Sequence, residues 1–155
     1  MNARHYEVLE TSVAPHALAG VRARVPMGRV PEYFGACLDQ VYAAAKAGAI
    51  AVDGQNIFLY HPRPDGALDV AFCVGTAAPF DRVGNVEFLQ TPAGVAATTA
   101  HWGEYAGLRG AHDALQAWCK SNHRTLAGPS WEVYGHWSHD PTQLRTDIYY
   151  LLQDA

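Results

Sequence analysis

The 155-residue sequence is short of charge, of cysteine and of any long apolar run. Charged residues make up 17% of it, and eleven Lys and Arg stand against fifteen Asp and Glu, a formal net charge of −4. A protein that grips a phosphate backbone needs a basic field, so this composition argues against direct nucleic-acid binding, and no DNA-reading module has room beside a full core. The longest apolar stretch, Val70 to Phe80, is broken by Gly75 and Thr76 and is too short to cross a bilayer. The first residues, Met1 to Glu7, lack the apolar centre of a secretory signal. Cys37, Cys73 and Cys119 are odd in number and widely spaced, which suits reduced, buried thiols in a cytoplasmic protein rather than a disulfide frame or zinc knuckle. No glycine-rich phosphate loop follows a strand, so a nucleotide has no anchor. Ser130, in Gly128-Pro129-Ser130, is not at a nucleophile elbow. His101, His112, His123, His136 and His139 show neither an HExxH motif nor a Cys/His ligand pattern. The expectation is no cofactor, no metal and no membrane.

What is present is apolar and repetitive. Hydrophobic residues reach 49%, enough for one globular domain over residues 1–155. An offset of 74 residues lays Gly20-Val21 on Gly94-Val95, Asp39 on Asp113, Lys46 on Lys120, Gly54 on Gly128 and Tyr60 on Tyr134. Two half-repeats follow, about 6–80 and 83–153, each read as strand, helix, strand, strand. In the first, Ala17 to Val25 forms a strand ended by Pro26, and Pro31 suits the first turn of a helix. That helix carries Phe34, Cys37, Leu38, Val41 and Ala45 on one face, and the second copy carries Leu108, Ala111, His112, Leu115 and Cys119 there. Strand pairs are expected at 55–61 with 67–74 and at 131–137 with 145–152, joined by the turns Pro62 to Gly66 and Ser138 to Pro141. Leading strands precede each copy at 6–11 and 83–90. The fold class is α+β: two antiparallel sheets, each backed by a helix, related by a pseudo-twofold with a cleft between them.

Strand alternation assigns faces. Aliphatic Ile57 and Leu59 suit the side packed on a helix, which sends Phe58 and Tyr60 to the helix-free side. The repeat sends Glu132, Tyr134 and His136 there as well, and puts Trp131, Val133 and Trp137 on the helix side. Trp131 and Trp137 are left open between core and lid, since Trp137, at the strand's end, can also swing over the cleft mouth. Glu132 admits two readings: an edge carboxylate in water paired with Arg145, or a carboxylate in an aromatic pocket whose desolvation raises its pKa. Aromatic faces around a counter-charge are also what a cation needs. Tyr33, Phe34, Trp102 and Tyr105, near the two helix starts, serve equally as core or as pocket rim.

Ala100-His101-Trp102-Gly103-Glu104-Tyr105-Ala106-Gly107-Leu108 resembles the HxGxYxxL start of the second helix in GyrI-like effector-binding domains. The segment GPSWEVYGHWSHDPTQLRTDIYYLL, Gly128 to Leu152, is similar to their closing hairpin. The first half departs more, with Met27-Gly28-Arg29 where a tyrosine-bearing turn is expected. The resemblance implies a duplicated βαββ (SH2-like) fold that binds aromatic or cationic molecules between its halves, with a glutamate at the position of Glu132 facing the ligand. It implies a ligand set of Glu132, Tyr134, Phe58, Tyr60, Trp102, Tyr105, Tyr33, Phe34, His136 and Trp137. Members joined to a DNA-binding module serve as drug-sensing regulators, which makes a stand-alone binder of xenobiotics the expectation for this chain. Members that hydrolyse cyclopropane-bearing genotoxins imply a second reading, with Glu132 aiming a water and Tyr105 steadying the leaving phenolate. A protein partner or a homodimer is left open.

Overall fold

The computed structural model describes residues 6–154. Its strands are β1 (Leu9–Val13), β2 (Ala17–Val25), β3 (Val52–Pro62), β4 (Leu68–Thr76), β5 (Glu87–Gln90), β6 (Gly94–Trp102), β7 (Leu126–Tyr134) and β8 (Arg145–Leu152). Helix α1 (Phe34–Lys46) lies between β2 and β3, and α2 (Leu108–Ser121) between β6 and β7. Pro26 ends β2, since it brings no N–H and a fixed φ, and Pro31 opens the 3-10 turn Val30–Glu32 that leads into α1. Lys46 and Lys120 fall in the last turns of the helices, where the helix dipole favours a cation.

All strand pairings are antiparallel, and the strands form one eight-stranded sheet in the order β1-β6-β8-β7-β3-β4-β2-β5. The expectation of two sheets is therefore corrected. The halves fuse where β3 pairs with β7, from Ile57 opposite Val133 to Tyr60 opposite Ser130. Left apart, each half would present an inner edge of unpaired N–H and C=O groups; pairing the two edges satisfies both at once. The leading strands are also exchanged, β1 pairing with β6 of the second half and β5 with β2 of the first.

Helix α1 packs on β2 and β4, and α2 on β6 and β8. The helices thus cover the outer strands of each half and leave β3 and β7 uncovered between them. Cys37, Leu38, Val41 and Ala44 of α1 are buried, while Ala45 is half-buried and Phe34 exposed. In α2 the buried residues are Ala111, Leu115 and Cys119. The three cysteines are free and buried.

The strand faces are the reverse of the expected ones. Phe58, Tyr60 and Tyr134 join the cluster that contains Leu38 and Val41 of α1. Ile57, Leu59 and Trp131 instead bury on the opposite face with Leu18, Ala71, Cys73 and Ala96, joined by Val13 and Leu89 from the two exchanged edge strands. Trp131 stacks on Tyr149 there, ring centroids 5.3 Å apart. With no described helix over this face, full burial of Ile57 and Cys73 requires a curled sheet closed by its own aliphatic side chains. Each such side chain contributes about 1.5–3 kcal/mol. The aromatics stand in the gap between the helices, where their length lets them reach the α1 cluster from the uncovered central strands.

Candidate functional site

The gap over β3 and β7 is a cavity of about 640 Å³. The first half contributes Val30, Pro31, Phe34 and Leu38 from around the start of α1, and Phe58 and Tyr60 from β3. The second half contributes Tyr105 and Leu108 at the start of α2, Glu132 and Tyr134 of β7, and Gly135, His136 and Trp137 of the following loop. One rim, Asp53 to Asn56, is a bulge in β3, where the pairing with β4 slips between Val52 and Asn56. Gly54 makes that bulge with φ +84°, a conformation that side chains resist. Its repeat mate Gly128 (φ +122°) sits in the corresponding slip of β7.

Glu132 forms the polar floor. It lies directly opposite Phe58 in the β3–β7 register and is 5% exposed. The Tyr60 and Tyr134 hydroxyls each donate to its Oε1 at 2.6 Å. Nε2 of His112, reaching from α2, lies 2.7 Å from its Oε2. Nδ1 of His112 lies 2.7 Å from the Tyr150 hydroxyl. Burial is the largest single influence on Glu132 and opposes ionisation. The hydrogen bond and charge of His112, with the Tyr134 and Tyr60 hydroxyls, outweigh it and hold the carboxyl below its usual range. The expectation of a desolvated, raised pKa is thus overturned by three donors converging on one group. Burial, reinforced by the Glu132 charge, pushes the Tyr60 and Tyr134 phenols well above theirs, so both remain donors. Arg145, the expected surface partner of Glu132, pairs with Asp147 at 3.0 Å instead.

Aromatic faces complete the cavity. Phe58 meets Tyr134 edge-on with centroids 4.9 Å apart, and Tyr105 meets Tyr134 at 90° and 5.6 Å. Among the described lining residues there is no Lys or Arg, and the carboxylates are Glu132 and Asp53. Asp53 at the rim lies 3.7 Å from His16 Nε2.

Of the ten residues expected at the ligand, Glu132, Tyr134, Phe58, Tyr60, Tyr105, Phe34, His136 and Trp137 line this cavity. Trp137 lies beyond the end of β7, 64% exposed and lining the cavity, which is the lid position of the two readings left open for it. Tyr33 packs beside the first-half core and does not line the cavity. Trp102 lies in a separate, shallower depression with Tyr6, His101 and Pro141, where the Arg145 guanidinium sits 5.4 Å above its ring. Trp102 is the last residue of β6 and still pairs with Arg145 of β8 before the chain turns toward α2. Among the described residues no group of three or more His, Cys, Asp or Glu is placed to hold a metal ion. No described helix is long and apolar enough to cross a membrane.

His112 and Tyr150 were not among the expected site residues. The signal for His112 was in the sequence: the 74-residue offset lays it on Leu38 and lays Glu132 on Phe58, so an apolar pair in one half is a polar pair in the other. Tyr150 carried no such mark, because the offset slips before β8.

The sequence profile of the GyrI-like small molecule binding domain matches residues 8–153. The chain belongs to that family. No curated protein sequence matches it significantly. As a GyrI-like domain it superposes on the crystal structure of the EcmrR C-terminal domain with a TM-score of 0.83 at 22% identity, over 97% of this chain and 99% of that one. SAV2435 bound to tetraphenylphosphonium gives 0.63 at 12% identity, over 97% and 94%. A protein from Listeria innocua described as a hydrolase gives 0.62 at 10% identity, over 95% and 92%. At these identities the superpositions establish the fold that the GyrI-like domain shares with all three.

Proposed function

We propose that this GyrI-like domain binds an aromatic cation between α1 and α2, with Glu132 as the buried counter-charge. The observation that carries the reading is an ionised carboxylate at the floor of an aromatic cavity with no Lys or Arg in its lining. An uncompensated buried charge is costly. The three donors reduce that cost and no Lys or Arg of the lining takes the charge, so a ligand cation gains it while stacking on Phe58, Tyr105 and Tyr134. A carboxylate offers about four acceptor positions, and three here are taken. Delocalised cations with few N–H donors fit such a group better than guanidinium or polyamine ligands, which need several open acceptors. The tetraphenylphosphonium named with SAV2435 is a cation of the favoured kind.

The second reading, hydrolysis of a cyclopropane-bearing compound, draws support from the relative described as a hydrolase and from the presence of Glu132 and Tyr105 in one cavity. Against it, a carboxylate held below its usual pKa by three donors is a weak base. Binding is therefore the reading we adopt. It fits a cytoplasmic sensor or sink for xenobiotics, and the common 74-residue offset fits descent of both halves from one βαββ unit.

Quenching of Trp137 on titration with tetraphenylphosphonium tests the reading. Saturable quenching in the native protein that weakens about a hundredfold in Glu132→Gln is expected. Equal affinity in both proteins would contradict it. Turnover of a cyclopropane alkylator that disappears in Glu132→Gln would move the assignment to the hydrolase.

A further inference from the structure

Glu132 is not the end of its hydrogen-bond chain. Behind it His112 joins Tyr150, and the Tyr150 hydroxyl oxygen lies 3.3 Å from the side-chain Nε2 of Gln116 on the exposed face of α2. The amide donates to the Tyr150 oxygen, and an ionised Glu132, which only accepts, keeps the proton of a neutral imidazole on Nε2, so bare Nδ1 faces the Tyr150 hydroxyl. Nδ1 accepts from that hydroxyl, and Nε2 donates to Glu132 Oε2. Gln116, Tyr150, His112 and Glu132 are all satisfied in this single direction, and the cavity keeps one net negative charge. A proton added at Nδ1 reverses the Tyr150–His112 bond and places a positive charge 2.7 Å from Oε2.

We propose that His112 is a proton-operated charge selector: while it is neutral, Glu132 is available to a cationic ligand, and when it is protonated it occupies that charge itself. This inference rests on the cavity being a cation site. By reciprocity a bound cation expels the proton from His112. The titratable and charged groups around the ring are Glu132 and Tyr134 of β7, Tyr60 of β3, Tyr150 of β8, His101 of β6, Tyr105 before α2, and Arg109, Asp113 and Cys119 on α2 itself. Among them the ring nitrogens bond to Glu132 and Tyr150. Arg109 and Asp113 lie 3.9 Å apart on the solvent side, and the His101 nitrogens bond the Tyr6 hydroxyl and the Glu104 carbonyl. The Tyr60 and Tyr134 hydroxyls donate to Glu132 Oε1 whichever state His112 is in.

The test is calorimetric titration of the native chain and of His112→Gln with tetraphenylphosphonium, whose own charge does not vary with pH. Glutamine keeps a donor for Glu132 and cannot titrate. Native affinity should fall about tenfold or more between about pH 8 and about pH 5, while His112→Gln stays level within about twofold. In the native protein, binding near the midpoint should release protons, seen as heats that differ between buffers of different ionisation enthalpy. A level native profile, or an equal slope in His112→Gln, would overturn the selector while leaving the cation site standing. No saturable binding at either pH would overturn the cation site and the selector together. Nitrogen-15 NMR of the ligand-free native chain gives a readout that needs no ligand: the Nε2–H tautomer of His112 is expected at about pH 8, and the Nδ1–H tautomer would overturn the proposal.

Discussion

At the same offset, the two halves of the sheet carry opposite chemistry. Helix α1 and strand β3 present Leu38 and Phe58 to the cavity, whereas β7 presents Glu132 and α2 sets His112 behind it. Phe58 and Glu132 face each other across the centre of the sheet. Phe58 packs edge-on to Phe72 and Tyr134, each 4.9 Å away, and Glu132 accepts hydrogen bonds from both halves. A buried carboxylate is tolerable in β7 because the helix above it supplies a donor, which α1 does not supply over Phe58. A symmetric scaffold acquires a one-sided charged site through two matched positions.

The largest expected effect comes from forcing the first half to imitate the second. Phe58→Glu places a carboxylate under Leu38, which has no donor, and should cost about 3–5 kcal/mol in urea unfolding. Adding Leu38→His should recover a good part of that, and no recovery would break the comparison. Leu38→Ala alone, at 8% exposure, should cost about 2–3 kcal/mol from lost burial and the cavity left behind.

Removing donors from the second half acts more gently. Tyr60→Phe and Tyr134→Phe should each cost about 1.5 kcal/mol of stability, as hydrogen bonds to a charged acceptor do. Both donate to one oxygen, so the double variant should lose more than the sum of the single losses in a double-mutant cycle. Acid sharpens the same point. With the folded carboxyl of Glu132 below its unfolded value, its stabilising share is present above the unfolded pKa and is lost as pH falls through the folded one. Thermal unfolding of the native chain should therefore weaken more steeply than that of Glu132→Gln below about pH 4.3. The smallest effect belongs to Trp102, outside the cavity: Trp102→Ala should change tetraphenylphosphonium affinity by less than about twofold, on the order of 0.5 kcal/mol or below.

Much of this architecture was legible in the residues. Alternation and helical spacing placed β2 and β8 at their observed bounds and set both helices, because those segments are locally self-consistent. The joining of the halves was not legible, since the β3–β7 pairing is long-range and leaves no local mark. The faces were misassigned for a related reason. Aliphatics were matched to helices, but the helices cover the outer strands, and the central pair keeps its aromatics under open space. Glu132 was identified by its aromatic neighbours in sequence. The direction of its pKa depended on His112, 20 residues away in the chain, and only the fold brings that donor to it.

The central claim is that the cavity selects positive charge through Glu132. The most direct measurement compares tetraphenylphosphonium with tetraphenylborate, nearly the same shape with opposite charge, by calorimetric titration of the native protein. Saturable binding of the phosphonium is expected, with binding of the borate weaker by about a hundredfold or more. Comparable affinity for the two would mean that shape and apolar surface alone fill the cavity, and would contradict charge selection through Glu132.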